Sequence, residues 1–517
     1  MAQCGARVNV AFWIIKLARS VTERIEGDAW PSACGQRAPT PARHPTVQHW
    51  LSTLTAYRFR DSSSTTIYLI VAGCGHGRHI RRHSVPPSLD SLDVSPPMLA
   101  PRMPVYRRRS SLWGCTMLLV ASAVGAQASS TRAFTGLTLI DGTDRPSVQG
   151  ATVLVRDGRI VAAGPSRGVT IPAGAERIVL DGKTAIPGLI NAHGHVNEPT
   201  DLRTYAAYGV TTVFSLGGEG PPVFAARREQ ESSPALDRAR VFVAGPVLNP
   251  ATPAEARTQV AGVKGQNVDI VKIRVDDNLG TTQKMTPEVY RAVIDEAHRL
   301  GLRVAAHLFY LADAKSLIAA GADLVAHSVR DTDVDAELIA ALKARGVCVS
   351  PTLMREVSTF VYESTPDFFA DPFFLAHANK EWVRTLQEPA RQQAMRTSTS
   401  AQRYKAALEV AKRNVKRLAD AGVPIAMGTD TGPTGRFQGY FELMELELMG
   451  QAGLTPRQVL ASATRDAARC MKLERELGTL EPGKWADFVV LDANPLDDIR
   501  NFRRISAVYV AGNRVPR

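Results

Sequence analysis

Two histidines separated by one residue are the first candidates for chemistry. In the segment PGLINAHGHV, His193 and His195 follow an apolar run. If this run is a β-strand, side chains two residues apart point to the same side, so both imidazoles face one cavity. Neutral imidazole is the commonest side-chain ligand of metal ions. The pair alone is weak evidence, because surface sequences often contain it, and its meaning depends on further ligands.

Four other polar residues occupy comparable positions. Each lies at or near the carboxyl end of an otherwise apolar run: Lys272 in NVDIVKIRVDD, His307 in LRVAAHLFY, His327 in ADLVAHSVR and Asp430 in PIAMGTD. An unpaired buried charge costs several kcal/mol, so this repeated placement indicates a shared function. We therefore predict one metal site formed by all six residues. The alternatives are a structural role for any single histidine and, for Lys272, an ion pair with a nearby carboxylate.

An alternation of strands and helices is predicted to position these residues. Strands are predicted at 185–192, 209–216, 239–245, 267–275, 302–309, 322–328, 347–352 and 423–430, and several precede helical segments such as TPEVYRAVIDEAHRLG. Eight such units predict an α/β fold, a (β/α)8 TIM barrel over residues 185–473, since such barrels typically need about 250 residues. Barrel active sites lie at the carboxyl ends of the strands, where the candidates fall. A doubly wound open sheet is the alternative.

Short strands flank this region on both sides. Asp-Gly pairs at 141–142, 157–158 and 181–182 and Gly-Asn at 512–513 predict hairpins. We expect residues 129–184 and 474–517 to form one small β-sandwich domain built from both ends of the mature chain. Residues 353–400 carry many aromatic side chains and are too long for an ordinary connection. They are interpreted as an insertion that caps the active site, with simple packing over the barrel mouth as the alternative.

The N-terminal region resembles an export signal. Arg107–Arg109 precede an apolar stretch that ends in an Ala-x-Ala site at 126–128. This order predicts a signal peptide at 103–128 and a periplasmic or secreted protein, the alternative being a buried helix or an uncleaved anchor. Because such a signal starts a chain, we expect translation to begin at Met103. Residues 1–102 would then be untranslated or a disordered extension.

Charge and cysteine distribution exclude two classes of protein. The net charge of +12 comes mainly from residues 1–128, which hold 15 basic and 6 acidic residues, leaving 47 and 44 for the remainder. That remainder offers no electrostatic reason to expect a nucleic-acid partner. Only Cys348 and Cys470 follow residue 128, so there is no disulfide framework. One bridge between them is conceivable, but we expect both to be free.

The ordered set of H-x-H, Lys, His, His and Asp resembles the amidohydrolase superfamily. PGLINAHGHV and the C-terminal segment GTLEPGKWADFVVLDANP support this resemblance, which covers about residues 132–517. The chain looks most similar to the imidazolonepropionase-like branch that includes Xaa-Pro dipeptidase relatives. Lys272 argues against imidazolonepropionase activity itself, because that enzyme uses one metal and lacks a bridging lysine. Where many relatives read TTVRDLGG, this chain has Phe214 and Ser215, which puts a pocket role for that loop in doubt.

The resemblance implies a site with two divalent metal ions. His193, His195 and Asp430 would hold one ion, and His307 and His327 the other. Lys272 would be carboxylated and bridge ions about 3.5–4 Å apart. Zinc is expected, although manganese, iron or cobalt also suit such ligands. No organic cofactor is expected.

The same resemblance implies the reaction and its partners. Metal-activated hydroxide would attack the amide of a small substrate such as a dipeptide, an N-acyl amino acid or a cyclic amide, with Asp430 handling the proton. The alternatives are an ester, lactone or phosphotriester hydrolase and a non-catalytic metal-binding periplasmic protein. We expect a small-molecule substrate as partner, with neither nucleic acid nor a stable membrane anchor after signal cleavage. A homo-oligomer is compatible with the sequence.

Overall fold

The structure, a computed structural model, describes residues 131–233 and 235–517, together with the backbone of 54–60 and 66–72. The chain divides into two units, Met1–Leu118 and Leu119–Arg517. In the first unit, β1 (Leu54–Arg60) and β2 (Thr66–Ala72) pair antiparallel. The predicted signal peptide and the remainder of 1–102 lie outside the described residues. Among the residues that are described, no helix is long and apolar enough to cross a membrane.

The second unit contains strands of two kinds. They are β3 (Thr131–Leu139), β4 (Val148–Arg156), β5 (Arg159–Pro165), β6 (Glu176–Val179), β7 (Thr184–Pro187), β8 (Leu189–Gly194), β9 (Val210–Ser215), β10 (Arg240–Val243), β11 (Val271–Arg274), β12 (Val304–His307), β13 (Leu324–Val325), β14 (Cys348–Val349), β15 (Phe488–Leu491), β16 (Ile505–Val510) and β17 (Asn513–Arg514). Strands β8 to β14 pair in parallel. The others form a mixed sheet.

Helices follow most of the parallel strands. They are α1 (Asp201–Ala207), α2 (Pro221–Glu229), α3 (Pro253–Gly265), α4 (Pro287–Arg299), α5 (Leu311–Ala320), α6 (Ala336–Arg345), α7 (Leu353–Val357), α8 (Pro372–Leu375), α9 (Lys380–Leu386), α10 (Pro389–Thr397), α11 (Thr399–Asp420), α12 (Tyr440–Gln451), α13 (Pro456–Ser462) and α14 (Arg465–Met471). The side of α4 that holds Val289, Val293 and Ala297 is buried, as its apolar periodicity predicts. His298, on the same helix, lies at the surface and contacts Asp323.

The mixed sheet joins both ends of the unit. Its order is β17-β16-β15-β7-β3-β4-β5, with β6 also paired to β3. The expected sandwich is therefore one continuous sheet in the described part of the chain, because β7 bonds to β15 on one side and to β3 on the other. Phe134, Phe488 and Tyr509 pack together in its core.

The four predicted hairpins had different outcomes. Asp157 and Gly158, both with positive φ, connect β4 to β5 as predicted. The pair at 181–182 does not make a hairpin, because β6 and β7 both run parallel to β3. The pair at 141–142 lies within the longer connection between β3 and β4. At the C-terminus the turn is Ala511-Gly512, one residue earlier than expected, since Asn513 already pairs with Val510.

The parallel strands have a TIM-barrel-type arrangement. They form sheets in the order β10-β9-β8 and β11-β12-β13-β14, and single parallel bridges join Leu248 to Ile273, Val349 to Ile425 and Gly194 to Thr431. Segment 423–430, expected to be a strand, makes only isolated bridges and is not a regular strand. At the end of the segment Asp430 has a φ of 60°, so an extended strand cannot continue through this residue.

The insertion at 353–400 is mainly helical and packs against α12. The rings of Phe369 and Phe374 stack, and Phe374 also contacts Phe437 and Tyr440. Both phenylalanines are buried. The aromatic residues of this segment therefore belong largely to the main hydrophobic core.

The expectation of free cysteines is wrong. Cys348 at the start of β14 and Cys470 on α14 form a disulfide, with Cα atoms 5.8 Å apart. They are separated by 122 positions in the sequence and meet because α14 packs against the amino ends of the parallel strands. Closing a loop of this length stabilises the fold by about 5 kcal/mol in the chain-entropy model.

Candidate active site

His193 and His195 lie at the end of β8 and point to the same side, as their spacing predicts. His195 Nδ1 donates to the carbonyl of Gly217 at 2.8 Å. In the neutral ring Nε2 then presents a lone pair, and it lies 2.8 Å from Asp430 Oδ1. His193 Nε2 lies 3.4 Å from the same oxygen. Two imidazole nitrogens therefore converge on one carboxylate oxygen.

Asp430 is held in place by a buried carboxylate. Its neighbours Thr429 and Thr431 both donate hydroxyl hydrogen bonds to Glu442 Oε1, at 2.7 and 2.6 Å. Burial by itself would raise the pKa of Asp430, but the positive charge of Arg436 holds that pKa well below its usual range. The carboxylate is therefore ionised. The backbone of Asp430 also has a positive φ, which is the kind of strain that accumulates at functional sites.

Lys272 lies inside β11 and reaches the same cluster. Its Nζ is 2.9 Å from His193 Nε2, and its side chain is buried. Burial lowers the pKa of Lys272 to about 7, so a large fraction of the amine is neutral near physiological pH. Among the described residues no carboxylate lies within ion-pair distance of Nζ, so the alternative of a lysine–carboxylate pair finds no partner.

His307 and His327 complete the set from β12 and the end of β13. Their ring centroids are 4.1 Å apart, and His327 lies 4.7 Å from His193. His327 Nδ1 bonds to Thr352 Oγ1 at 2.7 Å, and within the described part of the chain its buried Nε2 has no partner. Burial lowers the pKa of His327 well below its usual value and that of His307 to about 4, so both rings are neutral. The structure thus brings all six predicted residues together.

These donors fit a divalent metal. One ligand atom each from His193, His327 and Asp430 lie within 4.8 Å of one another, and all three residues are buried. Metal–nitrogen and metal–oxygen bonds of about 2.0–2.2 Å place neighbouring ligand atoms about 3 Å apart, which matches the contacts around Asp430. Because its Nδ1–H is used by Gly217, a neutral His195 presents an Nε2 lone pair to the Asp430 carboxylate, so two hydrogen-bond acceptors face each other. A cation relieves this repulsion.

Sequence reasoning missed several neighbours of the cluster. Asp276 Oδ2 lies 2.9 Å from His307 Nε2, and Arg436 pairs with Asp430. A cavity of about 570 Å³ opens onto the cluster, and its lining includes Arg274, Arg355 and Arg436. The acidic pair that follows β11 was the one available signal for Asp276. Nothing in the local sequence distinguishes the three arginines from surface ones.

Known proteins resemble this chain in both sequence and fold. The imidazolonepropionase of Geobacillus kaustophilus is 25% identical over 405 residues, covering 71% of this chain and 88% of that protein. Ochratoxinase of Aspergillus niger is 28% identical over 235 residues, covering 45% of this chain and only 41% of its own length. Among solved structures, a prolidase-like protein from Bifidobacterium longum matches with a TM-score of 0.62 and 28% identity, covering 75% of this chain and 95% of that one.

Fold and site together define a TIM-barrel-type protein with an additional β domain and a cluster of potential metal ligands. The model of the amidohydrolase family matches residues 184–515. The chain therefore belongs to the amidohydrolase family, whose members generally use divalent metals.

Proposed function

We propose that this protein is a metal-dependent amidohydrolase that cleaves the amide bond of a small substrate such as a dipeptide, an N-acyl amino acid or a cyclic amide. The observation that carries the proposal is the convergence of four imidazoles, one ionised aspartate and one buried lysine on a single cavity. We further propose two zinc ions, with a carboxylated Lys272 between them. Within this assignment His193, His195 and Asp430 hold one ion, and His307 and His327 the other.

The residues of the chain have separable roles in hydrolysis. When bound, the metals supply Lewis-acid polarisation and lower the pKa of water. Asp430, kept ionised by Arg436, accepts a proton from the attacking water and passes it to the leaving nitrogen. Gly217 fixes the ring orientation of His195 through a hydrogen bond with the Nδ1 atom of that histidine, and Thr352 fixes the ring of His327 in the same way.

Similar proteins support an amide over other acyl substrates. The relatives named above include an imidazolonepropionase, an ochratoxinase and a prolidase-like protein.

A structure of a Xaa-Pro dipeptidase with bound methionine shares the fold, with a TM-score of 0.60 at 21% identity and coverage of 75% of this chain and 100% of that one. We also propose that segment 423–430, bridged on both sides, is the eighth strand of a closed (β/α)8 barrel.

A metal-reconstituted substrate panel tests this function. The protein is expected to hydrolyse at least one dipeptide or N-acyl amino acid, to lose that activity with a chelator, and to regain it when Zn²⁺ is added back. Matched esters and lactones of the same acyl groups are the control. Hydrolysis of esters or lactones without measurable turnover of any amide would overturn the amide assignment. Turnover that a chelator leaves unchanged would overturn the metal requirement.

We also propose that the mature protein is exported and begins after Ala128. The disulfide between Cys348 and Cys470 supports this, because such bonds persist in oxidising compartments. Intact mass spectrometry of the natively produced protein is expected to give the mass of residues 129–517, increasing by two hydrogen atoms on reduction. Tryptic peptides from residues 1–100, or two free thiols before reduction, would contradict the proposal.

A further inference from the structure

Three arginines line the catalytic cavity, and none of them can be a metal ligand. Arg274, Arg355 and Arg436 border the same space as His193 and Lys272. A guanidinium carries only hydrogen-bond donors, so it cannot coordinate a cation. Its planar fork suits carboxylates and phosphates. Positively charged arginine side chains repel metal cations bound next to them. The position of the three arginines therefore needs a reason other than metal binding.

Two of the three arginines are largely occupied by the protein itself. Arg355 Nη1 donates to Glu356, and its guanidinium lies 4.2 Å from the ring centroid of Tyr404. Arg436 donates Nη1 to Asp430 and Nε to Ser358 at 3.1 Å. Both side chains therefore contribute mainly a fixed positive charge to the cavity wall, and less by N–H groups that are free to bind a ligand.

Arg274 differs from the other two. It lies two residues after Lys272, so both side chains leave β11 on the same side. Its Nε donates to Asp276 Oδ1 at 3.1 Å, while neither Nη nitrogen has a hydrogen-bond partner in the described part of the chain. The side chain is 38% exposed, whereas that of Asp276 is 2% exposed and also contacts His307. One edge of the guanidinium is anchored, and the other is available to a ligand.

The charge of the whole cavity favours an anion. Its lining holds three guanidinium groups and only one carboxylate, that of Asp430, which the metal assignment also uses. Two neutral amides, Asn249 and Asn278, complete the polar lining, and Leu216, Val247 and Pro433 are apolar. A cleft lined by one sign of charge attracts the opposite sign and raises its local concentration.

We propose that the Nη edge of Arg274 binds a carboxylate of the substrate beside the scissile amide. The substrate class is then an N-acyl amino acid or a dipeptide with a free carboxylate, in preference to a neutral amide. This inference rests on the proposed amidohydrolase function and narrows its substrate. The carboxylate accepts two hydrogen bonds from one guanidinium, and the apolar lining contacts the rest of the molecule.

Paired ligands that differ only in charge test the proposal. The probes are N-acetyl-L-proline, N-acetyl-L-leucine and N-acetyl-L-phenylalanine, each compared by calorimetry with its carboxamide on the metal-loaded protein. For at least one pair the wild type is expected to bind the acid about tenfold or more tightly than the amide. Arg274→Gln is expected to abolish that preference and leave carboxamide affinity within about twofold, while Arg274→Lys restores part of it.

Arg403→Gln is the matched control. Arg403 is exposed, donates to the carbonyl of Leu279 near the cavity, and does not line it. This variant is expected to keep the wild-type ratio of acid to amide binding. Equal weakening of both ligands by Arg274→Gln would assign the residue a structural role and overturn the proposal, as would a wild type that binds neither form or prefers the amide. A wild type that prefers the acid but hydrolyses no amide would leave the carboxylate site standing and refute the proposed function instead.

Discussion

Asp430→Asn is expected to lower kcat by on the order of a thousandfold or more, while most of the metal stays bound. Asparagine keeps the shape of the side chain and tolerates the left-handed backbone at this position, where φ is 60°. The hydrogen bonds from Thr429 and Thr431 to Glu442 are not touched by the change. What is lost is the negative charge and the ability to take up a proton. Steady-state kinetics and elemental analysis of the purified variant measure the two effects.

Asp331→Asn is the control for this variant. Asp331 is exposed and accepts a hydrogen bond from the backbone of Leu311, away from the cavity. It is expected to retain wild-type kinetics and metal content. Near-normal turnover of Asp430→Asn would contradict the proton-transfer role. Loss of all metal from that variant would contradict the expectation that the other ligands retain the ions without the Asp430 carboxylate.

Lys272→Met is expected to reduce the metal content to one ion or fewer per chain and to remove activity. Burial lowers the pKa of Lys272 to about 7, so the neutral amine, the form that reacts with carbon dioxide, predominates only above that pH. In the wild type, reconstitution with two metals is therefore expected to need bicarbonate and to fall as pH decreases through about 7. Elemental analysis follows the metal, and carbon-13 NMR with labelled bicarbonate detects the carbamate.

Lys284→Met provides the comparison. Lys284 pairs with Asp313 at 2.9 Å and lies outside the cluster, so its loss is expected to leave metal content unchanged. Two metals bound to wild-type protein without bicarbonate, and without a carbamate signal, would contradict the bridging role of Lys272. The histidine and aspartate ligands would then hold both metal ions without a contribution from Lys272.

The sequence by itself determined which residues meet at the site. Apolar runs that end in His193, Lys272, His307 and His327 indicated strands whose carboxyl ends converge, and parallel pairing places such ends at one edge. The same reasoning indicated a β domain built from both ends. This reasoning succeeded because the alternation of side chains along a strand and their tendency to be buried are local properties of the sequence.

Only the tertiary structure decided the features that depend on distant parts of the chain. The disulfide joins residues that no spacing rule relates, and the backbone leaves the extended conformation at Asp430, where φ is 60°. Arg274 and Arg436 are ordinary arginines in the sequence, and they become cavity residues through contacts with Asp276 and Asp430. Long-range packing sets these contacts, and local periodicity carries no information about it.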